Sequence, residues 1–352
     1  MLFRRRGRQG AAAEDGIVAF WAWWPDARVR IEAAIKAGEF NPIMAEITAR
    51  LNAIHEDLGC ELTSGLKARH AFCISGRGNR AIRPVAERWL EVAPAPDATW
   101  EFHAARQPGR RRHDEFGAHV LAEHDYRLSF RLDSRVNRLD VAVFHPELAD
   151  LPESKRLVAI SLFLSDLLGE DDAERWIGKF ESALVPPDDS VDAAGLRAEV
   201  TRLRALPHRA RPKSIEGVDP KGRPIRVLAN LKIKRIDHIL EDQHGTVAIR
   251  LEGTWPHAAE VLDPLDALED RLEHRLAGTA TWIARTTRPG LRTIHFVARD
   301  KAAARQIIES WAGAHPTLNV TTSWVADPEW LFRAEWNGVS EMACVARESP
   351  GS

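Results

Sequence analysis

Apolar positions change period along the last third of the chain. Residues 246–252 alternate apolar and polar, 262–277 repeat at helical spacing, and 279–285 and 292–298 alternate again on either side of Pro289-Gly290. Helical spacing returns over 301–315, and 319–325 reads as a closing strand. A period of two sends successive side chains to opposite faces of a sheet, whereas a period of about 3.6 lines one face of a helix. The order strand, helix, strand, strand, helix, strand is that of a ferredoxin-like α/β plait. The pattern predicts an architecture and names no chemistry, because this fold carries many unrelated activities.

The first half alternates in a similar way. Ile17, Phe20, Trp21 and Trp24 fall on one helical stripe, which Ile31 and Ile35 continue beyond Pro25. A proline inside a helix removes a hydrogen bond and crowds the preceding turn, so a break is expected near Trp24 with Asp26 as a fresh cap. A second helix is expected over 42–56. Strand 71–75 runs into the turn Ser75-Gly76-Arg77-Gly78-Asn79, and helix 82–92 follows. In strand 99–105, Trp100, Phe102 and Ala104 point inward. A basic loop spans 107–113, strands cover 125–133 and 139–144, an apolar helix covers 154–168 up to Gly169, and a helical turn or strand covers 173–183. The Pro186-Pro187 dipeptide, a basic helix over 196–206 and the Pro- and Gly-rich run 207–224 read as a connection. The predicted class is therefore α+β, with two ferredoxin-like units, the first bearing additional N-terminal helices around an antiparallel or mixed sheet. The expected segments are a disordered basic tail at 1–13, a domain at 14–185, a linker with a basic helix at 186–224, a second domain at 225–340 and a tail at 341–352.

Composition narrows the class of function. A chain of 352 residues fits two domains, and a net charge of −2 gives no whole-chain attraction to nucleic acid or acidic lipid. No run of roughly 18 apolar residues exists to span a membrane. The basic start, Met1 to Arg6, lacks a following apolar stretch, so no secretory signal is expected. Cys60, Cys73 and Cys344 are too sparse for a disulfide framework and fit a reducing cytoplasm. The 12 Trp against a single Tyr point to bulky packing or to a partner surface.

The same elements carry a resemblance. Thr281, Trp282 and Arg285, the strand Arg292-Thr293-Ile294-His295-Phe296, and above all Asp327-Pro328-Glu329-Trp330 are similar to the bacterial family labelled domain of unknown function six-nine-five. Phe20-Trp21-Ala22-Trp23, Ile74-Ser75-Gly76-Arg77-Gly78, Ala93-Pro94 with Trp100, and Leu168-Gly169-Glu170 resemble segments of the same family. Leu331-Phe332 stands where the family usually has a Tyr. The resemblance spans most of residues 16–335. It implies the plait fold and a cytoplasmic bacterial setting, and it supplies no reaction.

Candidate chemistry is thin. Glu115, His119 and Glu123 are spaced i, i+4, i+8 and would share one helical face, where a His and two carboxylates could hold a metal; His113, His124 and Asp125 lie in the same region. Gly117 interrupts that segment, and a solvated polar surface is the plainer reading. His238 and His244 fall in a loop. The run from Ser75 to Arg80 could cradle a phosphate, but it lacks P-loop spacing and reads as a strand-to-helix turn. Cys73 reads as a buried small hydrophobe. Asp327 reads as the cap of a closing turn onto which Trp330 folds back. The basic runs 106–112 and 197–213 could touch phosphates, so weak RNA binding is a second alternative. Phe20, Trp21 and Trp24 form a stripe suited to a protein partner. The expectation is a non-enzymatic interaction or regulatory protein without a cofactor. The alternative is a small-ligand binder or enzyme with a site between the two units or near His113–Asp125.

Overall fold

The N-terminal apolar stripe builds one continuous helix, α1 (Leu2–Ala37), which passes through Pro25 without a break. The computed structural model describes residues 2–109, 113–116, 119–206, 212–219, 221–337 and 340–341. Two expectations are corrected here: the segment 1–13 is helical over its described residues, and the helix does not stop near Trp24. Ile17, Phe20 and Trp24 before the proline, and Ala27 and Ile31 after it, are all buried in one core cluster. Each large buried side chain is worth roughly 1.5–3 kcal/mol. Together they outweigh the roughly 3 kcal/mol that an internal proline costs.

The chain divides into two compact units, Met1–Pro207 and His208–Ser352. In the first, α2 (Asn41–Ile54) packs along α1 and leads into β1 (Gly59–Ser64) and β2 (His70–Ser75). Helix α3 (Arg83–Glu91) then returns the chain to β3 (Trp100–His103). The sheet order is β1-β2-β3, antiparallel and then parallel. A short hairpin, β4 (His113–Phe116) and β5 (His119–Ala122), precedes β6 (Arg127–Asp133) and β7 (Arg138–Phe144). Helices α4 (Glu153–Leu168) and α5 (Glu170–Trp176) return to β8 (Ile177–Ser182), and α6 (Ala193–Arg204) follows. The order β6-β7-β8 is again antiparallel and then parallel. The first unit thus uses the same hairpin-and-crossover motif twice, where a single plait-like sheet was expected. Each three-stranded sheet has its own apolar cluster, residues 13–104 in one and 121–203 in the other. The buried guanidinium of Arg83 on α3 ties the two together, through the Ala104 carbonyl and the Asp171 carboxylate at 2.6 Å on α5.

The basic helix α6 is not a linker. Leu196, Val200 and Leu203 recur at i, i+4, i+7 and are buried in the first unit's second cluster.

The second unit is built on β9 (Lys213–Val218), β10 (Pro224–Ala229), β11 (Gln243–Arg250), α7 (Ala259–Leu276), β12 (Ala280–Arg288), β13 (Leu291–Ala298), α8 (Lys301–Gly313), β14 (Val320–Ala326), the short helix α9 (Ala334–Asn337) and β15 (Ser340–Glu341). Among the described residues these strands form one sheet in the order β14-β11-β13-β12-β10-β9-β15, with every pairing antiparallel. The linker expected to reach residue 224 instead supplies β9. Gly290, with φ +73°, makes the β12–β13 turn expected at Pro289-Gly290.

One face of this sheet is covered by α7 and α8, where Leu272, Leu276, Ile308 and Trp311 meet Val247, Ile249, Ile294 and Phe296. The other face carries Ile225, Val227, Ile283 and Val297, covered by Trp330, Phe332 and Trp336. Helix α7 is also held electrostatically. Glu269, 6% exposed, receives Arg285 Nη1 at 2.8 Å and Arg292 Nη2 at 2.9 Å, and Asp266 shares both arginines. The molecule is mixed α and β, and among the described residues no helix is long and apolar enough to cross a membrane.

Candidate functional site

Strand alternation splits the first sheet into two chemically distinct faces. Phe72, Ile74, Trp100 and Phe102 enter the core. On the opposite face, Glu61 lies across from Cys73 and Thr63 across from Ala71, with Glu101 beside Ala71 on β3. Residues 106–109 and Asp166 of α4 close over this face and leave a cavity of about 300 Å³. Gly109 donates its N–H to the Asp166 carbonyl at 2.7 Å, and it sits so near the Asp166 carboxylate that a side chain there would collide.

Among the described residues, the carboxylates Glu61, Glu101 and Asp166 line the cavity with one guanidinium, Arg106. Arg106 pairs with Glu61, and its backbone N–H donates to Glu170 at 3.2 Å. Glu101 accepts N–H groups from Leu66 at 2.6 Å, Lys67 at 2.9 Å and Ala68 at 2.9 Å, and meets His103 at 3.1 Å. Burial alone would raise its pKa. The three backbone donors and His103 outweigh burial and hold the carboxyl at about 2, so it stays ionised. The Cys73 thiol donates to the Ala105 carbonyl at 2.8 Å, and burial pushes its pKa up. A thiol that keeps its proton is a weak nucleophile. The geometry suits recognition of a small polar molecule with positive charge.

The anticipated sites fare differently. Phe20 and Trp24 are buried, and Trp21 is half-buried with Nε1 donating to the Trp89 carbonyl at 2.8 Å. The stripe expected to meet a partner is core, because Phe72, Trp89, Trp100 and Phe102 surround it with edge-on rings. The spacing of Glu115, His119 and Glu123 presumed a helix, but β4 and β5 form a hairpin there and Glu123 starts a 3-10 turn. His119 Nδ1 meets Glu147 at 2.9 Å and Glu123 meets Arg197 at 2.9 Å, so these two turn to different partners. The side chains of His113 and Glu115 lie outside the described residues. Among those described, no group of three or more His, Cys, Asp or Glu side chains gathers as a metal site.

The turn after β2 spends its N–H groups internally: Asn79 Oδ1 accepts from Ala81 at 3.0 Å, and Ser75 Oγ from Arg77 at 3.3 Å. It acts as a strand-to-helix turn. On α6, Arg197, Arg202 and Arg204 pair with Glu123, Glu199 and Asp172; residues 110–112 and 207–211 of the basic runs lie outside the described residues.

Asp327 is a cap, as its position before Pro328 predicts. Its two carboxylate oxygens accept N–H from Leu331 at 2.9 Å and Phe332 at 3.0 Å. They hold the turn in which Trp330 adopts a left-handed φ of +58° and folds back, buried, onto the sheet. Left-handed backbone costs a non-glycine residue roughly 1–2 kcal/mol. Asp327→Ala is expected to lower the stability of the second unit by about 2 kcal/mol, read as a fall in the urea midpoint, with Asp327→Asn losing less because it keeps one acceptor.

His244, expected in a loop, lies on β11. Its Nε2 is 3.2 Å from Nδ1 of His295 on β13, and its ring stacks on Phe332 with centroids 3.9 Å apart. Burial pushes His244 down to about 4 and His295, which also faces His244 and Arg288, down to about 3.

Comparison with protein-family models, with curated proteins and with solved structures gives no match.

Proposed function

We propose that the protein acts by binding rather than by catalysis, and that the cavity of the first unit takes a small ligand carrying an amine or another compact cation. The observation that carries this reading is the lining among the described residues, three carboxylates and one guanidinium, with Glu101 held ionised by three backbone donors. The protonated Cys73 thiol supports binding over nucleophilic chemistry. A regulatory role, in which ligand occupancy is read by a protein partner, is the extension we favour in a cytoplasmic setting, supported by the sparse cysteines.

The assignment to the family labelled domain of unknown function six-nine-five is likewise our proposal and rests on the residues quoted for it. For the second unit, the strand order β14-β11-β13-β12 supports the ferredoxin-like reading.

The test is calorimetric titration of the full chain at neutral pH with a short aliphatic diamine and, separately, a dicarboxylate. The diamine is expected to bind, and Glu61→Gln to weaken it about tenfold, or about 1.4 kcal/mol. Binding of the dicarboxylate in its place, or no heat with millimolar diamine, would overturn the reading.

A further inference from the structure

We propose that β14 is a homotypic docking edge, through which two copies of this chain join their second-unit sheets around a two-fold axis. Among the described residues β14 is the outermost strand of its sheet, and Thr321, Thr322, Ser323 and Val325 are exposed. Its pairing with β11 runs unbroken from Ile249–Val320 to Gln243–Ala326. The hydrogen bonds at the two ends of that ladder show which backbone groups are spent. Arg250 donates to the Asn319 carbonyl, and Asp327 donates to the Asp242 carbonyl. Both β14-side partners are odd-numbered, and in an antiparallel ladder alternate residues turn their N–H and C=O to the same side. Val320, Thr322, Trp324 and Ala326 therefore direct theirs to the open edge.

These four residues are self-complementary. An antiparallel copy centred on Ser323 sets Val320 opposite Ala326 and Thr322 opposite Trp324, and each such pair exchanges two hydrogen bonds. Every outward donor and acceptor of the strand finds a partner, and Thr beside Trp is a favourable cross-strand pair.

Charge points to the same occupant. On a two-fold axis each residue near the centre meets its own copy or a close neighbour's, so any charge there repels its like. Residues 316–326 carry no charge at all. Exposed edges are ordinarily blunted by lysine, proline or a bulge, and β14 has none of these. The other end of the sheet contrasts with it: β9 carries Lys213 and Glu216, and the outermost strand, β15, pairs with its Gly217 and Val218. The Trp324 ring lies back over Gly245, where a side chain would collide with it, so the largest group on β14 leaves the edge clear.

A seven-residue edge falls short of a standard interface of roughly 1,600 Å², so the pairing is concentration-dependent. Sedimentation velocity of the full chain from about 1 to about 100 µM, where micromolar affinity populates the pair, is the test. The expected result is a shift from 39.4 kDa toward twice that mass. Two variants separate edge pairing from any other contact. Ser323→Lys puts two lysines on the axis, and Thr322→Pro deletes an outward N–H while sparing the β11 ladder. Each is expected to raise the dissociation constant at least tenfold, with the circular dichroism of the wild type retained. A single-chain mass at every concentration, or a dimer that survives in either folded variant, would overturn the proposal.

Discussion

Glu269→Ala is expected to destabilise the second unit by about 3–5 kcal/mol, the range for removing one partner of a buried ion pair. Arg292 is 1% exposed, and Glu269 is the buried carboxylate that faces it. Among the described residues, the guanidinium without Glu269 keeps the more exposed Asp266, which it shares with Arg285. The cost comes from the stranded cation more than from lost attraction, so a paired substitution should recover most of it. Glu269→Met with Arg292→Met is expected to fall within about 1–2 kcal/mol of wild type, because similar apolar volume replaces both charges. Hydrogen exchange on peptides from β12, β13 and α7 reads the second unit alone. Equal loss in the single and double variants would show that packing, not charge, fixes α7.

Acidification from pH 6.5 to 4.5 is expected to weaken the second unit by roughly 5 kcal/mol through the buried histidine pair. In the unfolded chain both imidazoles take a proton near pH 6.5. In the folded unit His244 holds off protonation to about 4 and His295 to about 3. Between these limits the unfolded state binds more protons, so stability is full above pH 6.5 and falls as pH drops toward the folded values. Two pH units at about 1.4 kcal/mol each, for two residues, set a ceiling of about 6 kcal/mol, and half-protonation of the unfolded imidazoles at pH 6.5 brings it to roughly 5. Carboxylates such as Glu101, held at about 2, lose their contribution only below about 4.5, whereas Glu273 on α7, pushed up by burial, takes its proton above 4.5 and acts with the opposite sign, so the loss in this window comes from histidine. The double variant His244→Gln, His295→Gln should flatten the slope for β11 and β13 in exchange measurements. His145, also pushed down by burial, would leave its own slope in the first unit. An unchanged slope at β11 and β13 in the double variant would place the acid sensitivity elsewhere.

The two long helices of the second unit were legible in the chain because each shows a single apolar period. The 301–315 pattern corresponds to α8, Lys301–Gly313, and the 262–277 pattern to α7, Ala259–Leu276. Strand β9 was not legible: Lys213, Ser214, Glu216 and Gly217 leave only Ile215 and Val218 as apolar signals, as suits a strand near a sheet edge. The break expected at Pro25 fails for a tertiary reason, since local chemistry knows nothing of the rings that hold Trp24. The cavity was half legible. Alternation along β3 shows that Glu101 and His103 face away from Trp100 and Phe102. Nothing local shows that Arg106 reaches Glu61, 45 residues earlier, or that Asp166 closes the same space. The spacing of Glu115, His119 and Glu123 misled because a period of four has meaning only on a helix, and a hairpin lies there.

The two motifs of the first unit each draw on one contiguous stretch, residues 59–103 and 127–182, whereas the second unit's β11 must await β14, some seventy residues later. During synthesis, domains form from the N-terminus as the chain emerges, and contacts close in sequence form soonest. Both small sheets can therefore be complete before the second unit has been made. The large sheet cannot be, because Asp327 and the aromatic segment that seals its histidine-bearing face follow β14 in the chain. A ribosome stalled late in the second unit but before Asp327 would thus display a finished first unit and an unsealed second one, with the interior of its sheet open to chaperones.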